Sequence, residues 1–467
     1  MSRNKEVHVK SKIDAHAILY DGLELGVFER DENDVLHLKL HKGIKKSWLP
    51  YIFELALDNN ADMDKIINIW IKERVFPKNR INNRKLLKDL GLKRYNITDI
   101  VKKTHCSLIT DPYWVSFSED DMYNEVSARG TVGLNYYPYN SIGIKNEEDY
   151  IWRVNKDKEI TNIEPNNGKV IYWRDKELVI PDSVNAHANG GRLEKFWVQD
   201  RKTGRQFLIK GSTSFSYEPY CEKIAYIIGR DLGIDVLEYD ILPAKEFVNM
   251  SKIISPLCKH VSICEKIDRV GYSITSVAEI KRAKNAVLSD GEQHITNKMV
   301  MEELFDKKYL DTMLLFDAII GNTDRHYGNV HLLRDLNGEF SPAPLLDNGA
   351  SLLATATIFG LLWYEDTIGQ HYNSSKTISR NHAKQIKYIS TLKNINYNIP
   401  SKTIQILHDI QPVLDEMPKY RYRMIKKYIT LRLHKYLGML KRDTQYTPLY
   451  FKPLNFVSSI RREQEHT

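Results

Sequence analysis

Residues 321–329 read Gly-Asn-Thr-Asp-Arg-His-Tyr-Gly-Asn, and residues 345–349 read Leu-Leu-Asp-Asn-Gly. The first segment follows an apolar run with helical spacing. The second follows a strand-like pair joined by an Asn-Gly turn. Asp324 and Asn329 are five residues apart, and Asp347 lies beyond the strand-like pair. Because these features together are much rarer by chance than any one alone, they guide the interpretation of the whole chain.

The residue types in these two segments suit the transfer of a phosphoryl group. In such reactions one aspartate accepts or positions the incoming hydroxyl, while an asparagine and a second aspartate bind the Mg²⁺ that bridges the phosphates. Asp324 is the expected catalytic aspartate, and Asn329 and Asp347 are the expected metal ligands. His326 is expected to orient the loop or a phosphate, and Arg325 to pair with an acid of the core. The alternative is a capped turn after a helix, without chemistry.

A phosphotransferase of this kind also needs a lysine on a strand and an acid that holds it. Lys210 ends the apolar run Phe-Leu-Ile, where a cation needs a partner or a ligand. Glu222, on the helix expected to follow, is the predicted partner. Glu218 lies one turn earlier on the same helix face and is the alternative. A lysine that only reaches out to water is the other interpretation.

Residues 183–195 are the candidate phosphate-binding loop that precedes this strand. Gly190 and Gly191 would allow the backbone to approach phosphates closely, and Lys195 would add positive charge. An Asn-Gly-Gly sequence is also a common turn, so the loop alone is a weak signal.

Hydrophobic patterning divides the chain into three regions. Residues 1–140 predict a compact α+β domain with no recognisable chemistry. Residues 141–260 are rich in predicted strands, and residues 261–467 are predicted to be helical after residue 270, with one long buried helix over 296–320. The predicted fold class is therefore α+β: a bilobal protein-kinase-like fold, with a β-rich N-lobe and a helical C-lobe, preceded by a small α+β N-terminal domain.

Lys210, Glu222, residues 321–329 and residues 345–349 together resemble the HipA-like serine/threonine kinases. That family is itself similar to the phosphatidylinositol 3-/4-kinases, which share a D-R-H-x-x-N loop. The resemblance covers about residues 170–355 by motif. It implies ATP and Mg²⁺ as cofactors and a protein serine or threonine hydroxyl as the acceptor.

The resemblance carries two further expectations. The backbone near Cys264, Glu265 and Lys266 is expected to contact the adenine base. The family's usual partner is a small DNA-binding antitoxin, so the resemblance implies that this chain is the toxin component of such a pair.

Composition sets limits on the class of protein. The chain has 467 residues, of which 42% are hydrophobic and 27% charged, as in ordinary globular proteins and not in disordered chains or disulfide scaffolds. Its four cysteines have no spacing suited to zinc and are predicted to be free thiols in a reducing cytosol. No apolar leader and no membrane-spanning stretch is evident, so a cytoplasmic protein is expected.

The net charge of +8 is concentrated at the two ends of the chain. Residues 1–110 carry 21 Lys and Arg against 15 Asp and Glu, and residues 401–467 carry 13 against 6. Such ends could attract an anionic partner such as nucleic acid, but a solvated surface is the preferred interpretation because no long run of cations occurs.

Two other functions are consistent with the sequence. The same fold could transfer phosphate to a lipid, a sugar or a nucleotide. Alternatively, the chain could be a nucleotide-binding, DNA-associated scaffold whose basic ends carry the function.

Overall fold

The computed structural model is mixed α+β and contains two compact units that interleave along the chain. The first unit comprises Met1–Glu222, Leu237–Phe305 and Tyr327–Leu346, and the second comprises Lys223–Val236, Asp306–His326 and Asp347–Thr467. The boundaries predicted at residues 140 and 260 remain predictions. The structure describes residues 14–78, 83–108, 111–130, 147–155, 170–179, 195–212, 217–245, 247, 258–267, 272–288, 295–354, 356, 377–379, 381–392 and 398–440.

The N-terminal part of the first unit is built on a four-stranded antiparallel sheet with the order β3-β2-β1-β4. Its strands are β1 (Ala17–Tyr20), β2 (Leu23–Arg30), β3 (Leu36–Leu40) and β4 (Tyr113–Ser116). The accompanying helices are α1 (Tyr51–Asp58), α2 (Met63–Arg74), α3 (Asn83–Asp89), α4 (Ile97–Thr104) and α5 (Tyr123–Val126). The apolar faces of the sheet and helices form one core that includes Phe53 and Ile66.

A second antiparallel sheet of the first unit has six strands in the order β5-β6-β7-β8-β10-β9. Its strands are β5 (Ile171–Trp173), β6 (Lys176–Val179), β7 (Lys195–Asp200), β8 (Gln206–Lys210), β9 (Tyr239–Pro243) and β10 (His260–Glu265). The strand-rich region expected from the sequence is therefore confirmed. Gly204 ends the turn between β7 and β8 with a φ of +70°, which favours glycine.

The last sheet of the first unit has three strands, β11 (Tyr272–Ser276), β12 (His331–Asp335) and β13 (Phe340–Pro342). The β12–β13 hairpin was expected, but the helical prediction after residue 270 is wrong for β11. Pairing with β12, which lies far away in sequence, outweighs the local pattern there. Helices α7 (Val277–Leu288) and α8 (Asn297–Leu304) complete this part.

The second unit is helical in the residues that the structure describes. Helix α6 (Glu218–Leu232) begins in the first unit and continues into the second. The other helices are α9 (Lys307–Ile320), α10 (His382–Ile386), α11 (Ile399–Asp409), α12 (Gln411–Asp415) and α13 (Lys419–Leu440). Helix α9 packs against α10 and α13 and ends at Gly321.

Gly321 is required by space as well as by conformation. Its φ is +65°, and a Cβ atom at this position would lie 1.8 Å from the hydroxyl oxygen of Tyr428. The backbone can therefore turn sharply from α9 into the segment that carries Asp324.

The single helix predicted over 296–320 is wrong, because two helices occupy this stretch. Phe305 is extended, and the Asp306 side chain accepts a hydrogen bond from the backbone N–H of Tyr309 at 2.7 Å. Asp306 is thus the N-cap of α9, which starts a new helix at the point where the two compact units divide.

The four cysteines, Cys106, Cys221, Cys258 and Cys264, are buried free thiols, as predicted. Burial raises the pKa of the Cys106 thiol to about 12. Among the described residues, no helix is both long enough and apolar enough to cross a membrane.

Candidate active site

The segment that carries Asp324 is anchored by a buried ion pair. Arg325 is fully buried, and its guanidinium donates to the carboxylate of Asp317 at 3.1–3.2 Å. The same guanidinium donates to the side-chain oxygen of Asn348 at 2.6 Å. Arg325 therefore pairs with an acid of the core, as predicted, and it also binds the residue that follows Asp347.

Backbone contacts join the same two segments. The N–H and the hydroxyl of Thr323 both donate to the carbonyl of Ala350, at 3.1 and 2.9 Å. The N–H of Leu352 donates to the carbonyl of Ile320 at 2.9 Å. The end of α9 and the segment after Asp347 are thus held together within the second unit.

Asn322 connects the ion pair to Asp324. Its side-chain nitrogen donates to Asp317 at 3.2 Å, and its side-chain oxygen accepts from the N–H of Asp324 at 2.8 Å. Asn322 and Arg325 are both fully buried, whereas Asp324 and His326 are exposed. The network therefore anchors the inner side of the turn and leaves these two side chains at the surface.

The electrostatics of the ion pair reflect its burial. Burial raises the pKa of the Asp317 carboxyl, and the charge and hydrogen bonds of Arg325 act in the opposite direction. The removal of either partner would leave the other in the core without its counter-charge, which is costly.

Asp347 has a left-handed backbone conformation, which is uncommon for residues other than glycine. Its φ is +58°, and Leu352 and Leu353 also have positive φ values. Left-handed backbone at non-glycine residues costs free energy and is concentrated at functional sites. The Arg325–Asn348 bond and the Leu352 backbone bond hold this segment in place.

In the first unit, Lys210 and Glu222 form the ion pair that the sequence predicted. The Lys210 ammonium donates to the Glu222 carboxylate at 2.9 Å, and Glu222 is only 1% exposed. Glu218, the alternative, is also buried, and its Oε2 atom has no hydrogen-bond partner in the part of the chain that the structure describes. Glu222 is therefore the acid that holds Lys210.

The predicted phosphate loop falls mostly outside the described residues, which include neither Gly190 nor Gly191. Lys195 is described and begins β7, where it is directly opposite Lys210 in the antiparallel register. Directly opposed residues share one face of a sheet, and like charges there repel each other. Two lysines in this arrangement favour a nearby anion.

The three residues predicted to contact adenine lie at the end of β10. Cys264 is paired with both neighbouring strands, and the N–H of Lys266 donates to the carbonyl of Gln206 at 2.9 Å. Because successive residues of an antiparallel strand direct their backbone N–H and C=O groups to opposite sides, those of Glu265 point towards the side of β9. Strand β9 pairs with β10 only as far as Tyr239, opposite Cys264, so Glu265 lies one residue past the last β9–β10 pair.

The two predicted metal ligands belong to different compact units, Asn329 to the first and Asp347 to the second. Asn329 is 8% exposed in a short 3₁₀ turn over Tyr327–Asn329. No group of three or more His, Cys, Asp or Glu side chains suited to a metal occurs within the described residues. One carboxylate and one amide oxygen fit Mg²⁺, which commonly takes its remaining ligands from phosphates and water. Their joint coordination remains a prediction.

Three supporting residues, Asp317, Asn322 and Asn348, were not predicted from sequence. The best signal was that of Asp317, an acid inside the apolar run Leu-Leu-Phe-Asp-Ala-Ile-Ile, because a charge on a buried helix needs a partner. Asn348 gave no such signal, since its role depends on the fold bringing it to Arg325.

Comparison with known proteins supports a distant relationship to kinases. No protein-family model matches the chain. The serine/threonine-protein kinase CtkA of Helicobacter pylori is 29% identical over 176 residues, which are 36% of this chain and 52% of that protein. The chain therefore spans about half the length of this curated relative.

Among solved structures, the crystal structure of a Helicobacter pylori proinflammatory kinase CtkA matches with a TM-score of 0.36 and 19% identity. The match covers 54% of this chain and 92% of that chain. By sequence, the chain is similar to a serine/threonine-protein kinase over about a third of its length.

Proposed function

We propose that the chain is an ATP-dependent kinase that transfers the γ-phosphate to a serine or threonine hydroxyl of a protein. The observation that carries this proposal is the buried network that joins the Asp324 turn to the Asp347 segment. This network fixes the backbone at the exposed Asp324 and the half-exposed Asp347. Phosphoryl transfer requires such fixing, because its catalysis depends mainly on holding the reacting groups in position. The partial identity to a serine/threonine kinase supports the same class of reaction.

In this proposal, the residues of the second unit act on the acceptor and the metal. Asp324 aligns the acceptor hydroxyl and accepts its proton as the oxygen bonds to the γ-phosphorus and the bond to the β-phosphate oxygen breaks. Asp347, together with Asn329 of the first unit, would hold Mg²⁺, which neutralises phosphate charge when bound. His326 is exposed beside Asp324 and would orient the loop or a phosphate.

The residues of the first unit bind the nucleotide. Lys210 contacts the α- and β-phosphates, and Glu222 orients it through the ion pair. Lys195 and the backbone at Gly190 and Gly191 would add phosphate contacts, and the backbone at 264–266 would bind the adenine base.

The resemblance to HipA-like kinases also suggests a biological setting. We propose that the chain is a cytoplasmic toxin-type kinase that a small DNA-binding antitoxin regulates. The buried free thiols are consistent with a reducing compartment.

Incubation of the full chain with γ-labelled ATP and Mg²⁺ tests the proposal. Wild type is expected to label itself or an added protein, whereas Asp324→Asn is expected to remain unlabelled. Asp58→Asn, at an exposed position in α1, is the matched control and should label as wild type does. Transfer to lipid or nucleotide acceptors but not to protein would contradict the acceptor class. Nucleotide binding without any transfer would favour the scaffold alternative.

A further inference from the structure

Arg334 is a buried cation on the strand that follows the predicted metal ligand Asn329. It is 2% exposed, and its guanidinium donates to the carbonyl of Leu49 at 2.7 Å and to the carboxylate of Glu54. The guanidinium also lies 5.9 Å from the centre of the Tyr51 ring. All these partners belong to the N-terminal region, about 280 residues earlier in the chain.

The tip of the same hairpin is held by the same part of the N-terminal region. The hydroxyl of Ser47 donates to the carbonyl of Leu336 at 2.8 Å, and the Leu336 side chain packs against the N-terminal core. Phe340, on β13, lies edge-on to Tyr51 with ring centres 5.3 Å apart. The β12–β13 hairpin is therefore fixed by polar and aromatic contacts along its length.

Helix α7, on the other side of the Asn329 turn, is bound in the same way. The Lys65 ammonium donates to the carbonyl of Ala286 at 2.7 Å, Arg282 pairs with Glu73, and Ala283 is part of the N-terminal core. At its opposite end, the first residue of α7, Val277, donates its N–H to the carbonyl of Val330 at 2.9 Å, next to Asn329. Helix α7 thus extends from the N-terminal core to the turn that carries Asn329.

We propose that residues 14–130 position Asn329 through their contacts with β12, β13 and α7, and that Arg334 on β12 is the main positioning residue among these contacts. The proposal rests on the proposed function, in which Asn329 is a metal ligand. It assigns a role to a region that contains no recognisable chemistry of its own.

The choice of residue at position 334 supports positioning over simple stability. A buried ion pair often stabilises a fold no more than well-packed apolar residues would, because desolvation offsets its attraction. The planar fork of an arginine instead fixes the direction of several hydrogen bonds at once. The residues around a metal ligand must hold it in this way, because a ligand that is held loosely does not keep the position that metal binding needs.

The test measures metal binding directly, with the full chain. Mn²⁺, in the presence of a non-hydrolysable ATP analogue, is titrated and followed by electron paramagnetic resonance. Arg334→Met is expected to raise the Mn²⁺ dissociation constant about 10–100-fold, as the loss of residues that support a metal ligand typically does. Glu54→Gln, a milder change in the same contact, is expected to shift it in the same direction by a smaller factor.

Arg74→Met is the matched control. Arg74 is an arginine of the same region whose side chain is 7% exposed, and it is bound to the carboxylate of Asp111 and to the carbonyls of Cys106 and Tyr113. Within the part of the chain that the structure describes, the contacts of Arg74 all lie in residues 70–113. It should lower stability as Arg334→Met does but leave the Mn²⁺ affinity within twofold of wild type.

The outcomes separate the two proposals. Wild-type Mn²⁺ affinity in both Arg334→Met and Glu54→Gln would overturn the positioning role, and so would an equal loss in Arg74→Met. A wild-type chain that binds no Mn²⁺ with the nucleotide would overturn the proposed function, and the positioning role with it.

Discussion

The two ion pairs of the candidate site are built differently. The Lys210–Glu222 pair joins a flexible ammonium to a buried carboxylate, and Lys210 remains 12% exposed. The Asp317–Arg325 pair is closed to solvent on both sides, at 1% and 0% exposure, and it is tied to two buried asparagines. An ammonium can redirect its bonds to a ligand, whereas a guanidinium fork fixes its partners in a plane.

This difference suits Lys210 to binding a ligand and Arg325 to supporting the residues around it. Lys210 can turn towards phosphate while Glu222 holds its stem in place. Arg325 instead keeps its hydrogen bonds to Asp317 and Asn348, and these bonds anchor the turn at Asp324. The loss of Lys210 should therefore reduce activity, whereas the loss of Arg325 or Asp317 should reduce stability as well.

The largest expected effect is on catalysis at the exposed turn. Asp324→Asn should lower phosphotransfer about 10²–10⁴-fold, because it removes the proton acceptor while keeping the shape of the side chain. The thermal unfolding midpoint should be unchanged, since the Asp324 side chain is exposed. Steady-state transfer rates and calorimetry check this. A near-normal rate in this variant would show that Asp324 is not the acceptor of the proton.

Substitutions in the Asp317–Arg325 pair should mainly lower the free energy of unfolding. Asp317→Leu leaves Arg325 buried without its counter-charge and should cost about 3–5 kcal/mol of unfolding free energy, measured by urea denaturation. In the double variant Asp317→Leu/Arg325→Met, much of this stability should return, because both buried charges are gone. Activity should not return with it, since Asn348 and the Asp324 turn have lost their anchor. If the double variant were active, Arg325 would not be a supporting residue.

Substitutions in the Lys210–Glu222 pair should lower activity more than they lower stability. Lys210→Met should lower kcat about 10²–10³-fold, the usual cost of removing one donor that stabilises developing charge. Glu222→Gln should lower it less, because the lysine stays in place with a weaker orienting bond. Transfer rates at saturating ATP measure both. An equal loss in the two variants would mean that Glu222 has a role beyond orienting Lys210.

The smallest effect concerns the pH response of the helical unit. His382 is fully buried, and its burial together with the nearby Arg432 charge lowers its pKa well below 6.5. In the unfolded chain this histidine binds a proton below pH 6.5, whereas in the folded chain it stays neutral. Its contribution to stability should therefore fall by up to about 1.4 kcal/mol per pH unit as the pH drops below about 6.5.

His382→Leu should remove this contribution. Urea denaturation of the variant and wild type between pH 8 and pH 5.5 gives the difference. Parallel pH curves for the two proteins would contradict a neutral buried histidine at this position.

Much of the fold follows from local sequence patterns. The strands of the six-stranded sheet and the end of α9 before Gly321 were predicted, since each depends on neighbouring residues. The break before α9 was missed, although Asp306 is a good N-cap residue, because apolar spacing continues through it. Strand β11 was missed because its partner is some 60 residues away.

The candidate site shows the same limit. Lys210 and Glu222 were predicted as a pair because they are 12 residues apart on adjacent elements. Contacts such as Arg334–Glu54 join residues that are 280 positions apart, so no local sequence pattern predicts them. The N-terminal region was therefore predicted as a separate domain without a role, although its core includes Ala283 and its contacts reach the hairpin after Asn329.

The distribution of the cysteines gives the chain a built-in reporter. All four belong to the first compact unit, and the second unit has none. A thiol is alkylated only as the thiolate and only when exposed, so the buried Cys106, with its pKa of about 12, should react only during opening. Alkylation rates at Cys106 and Cys264 would thus measure the opening free energies of the N-terminal region and the six-stranded sheet separately, while the helical unit stays silent.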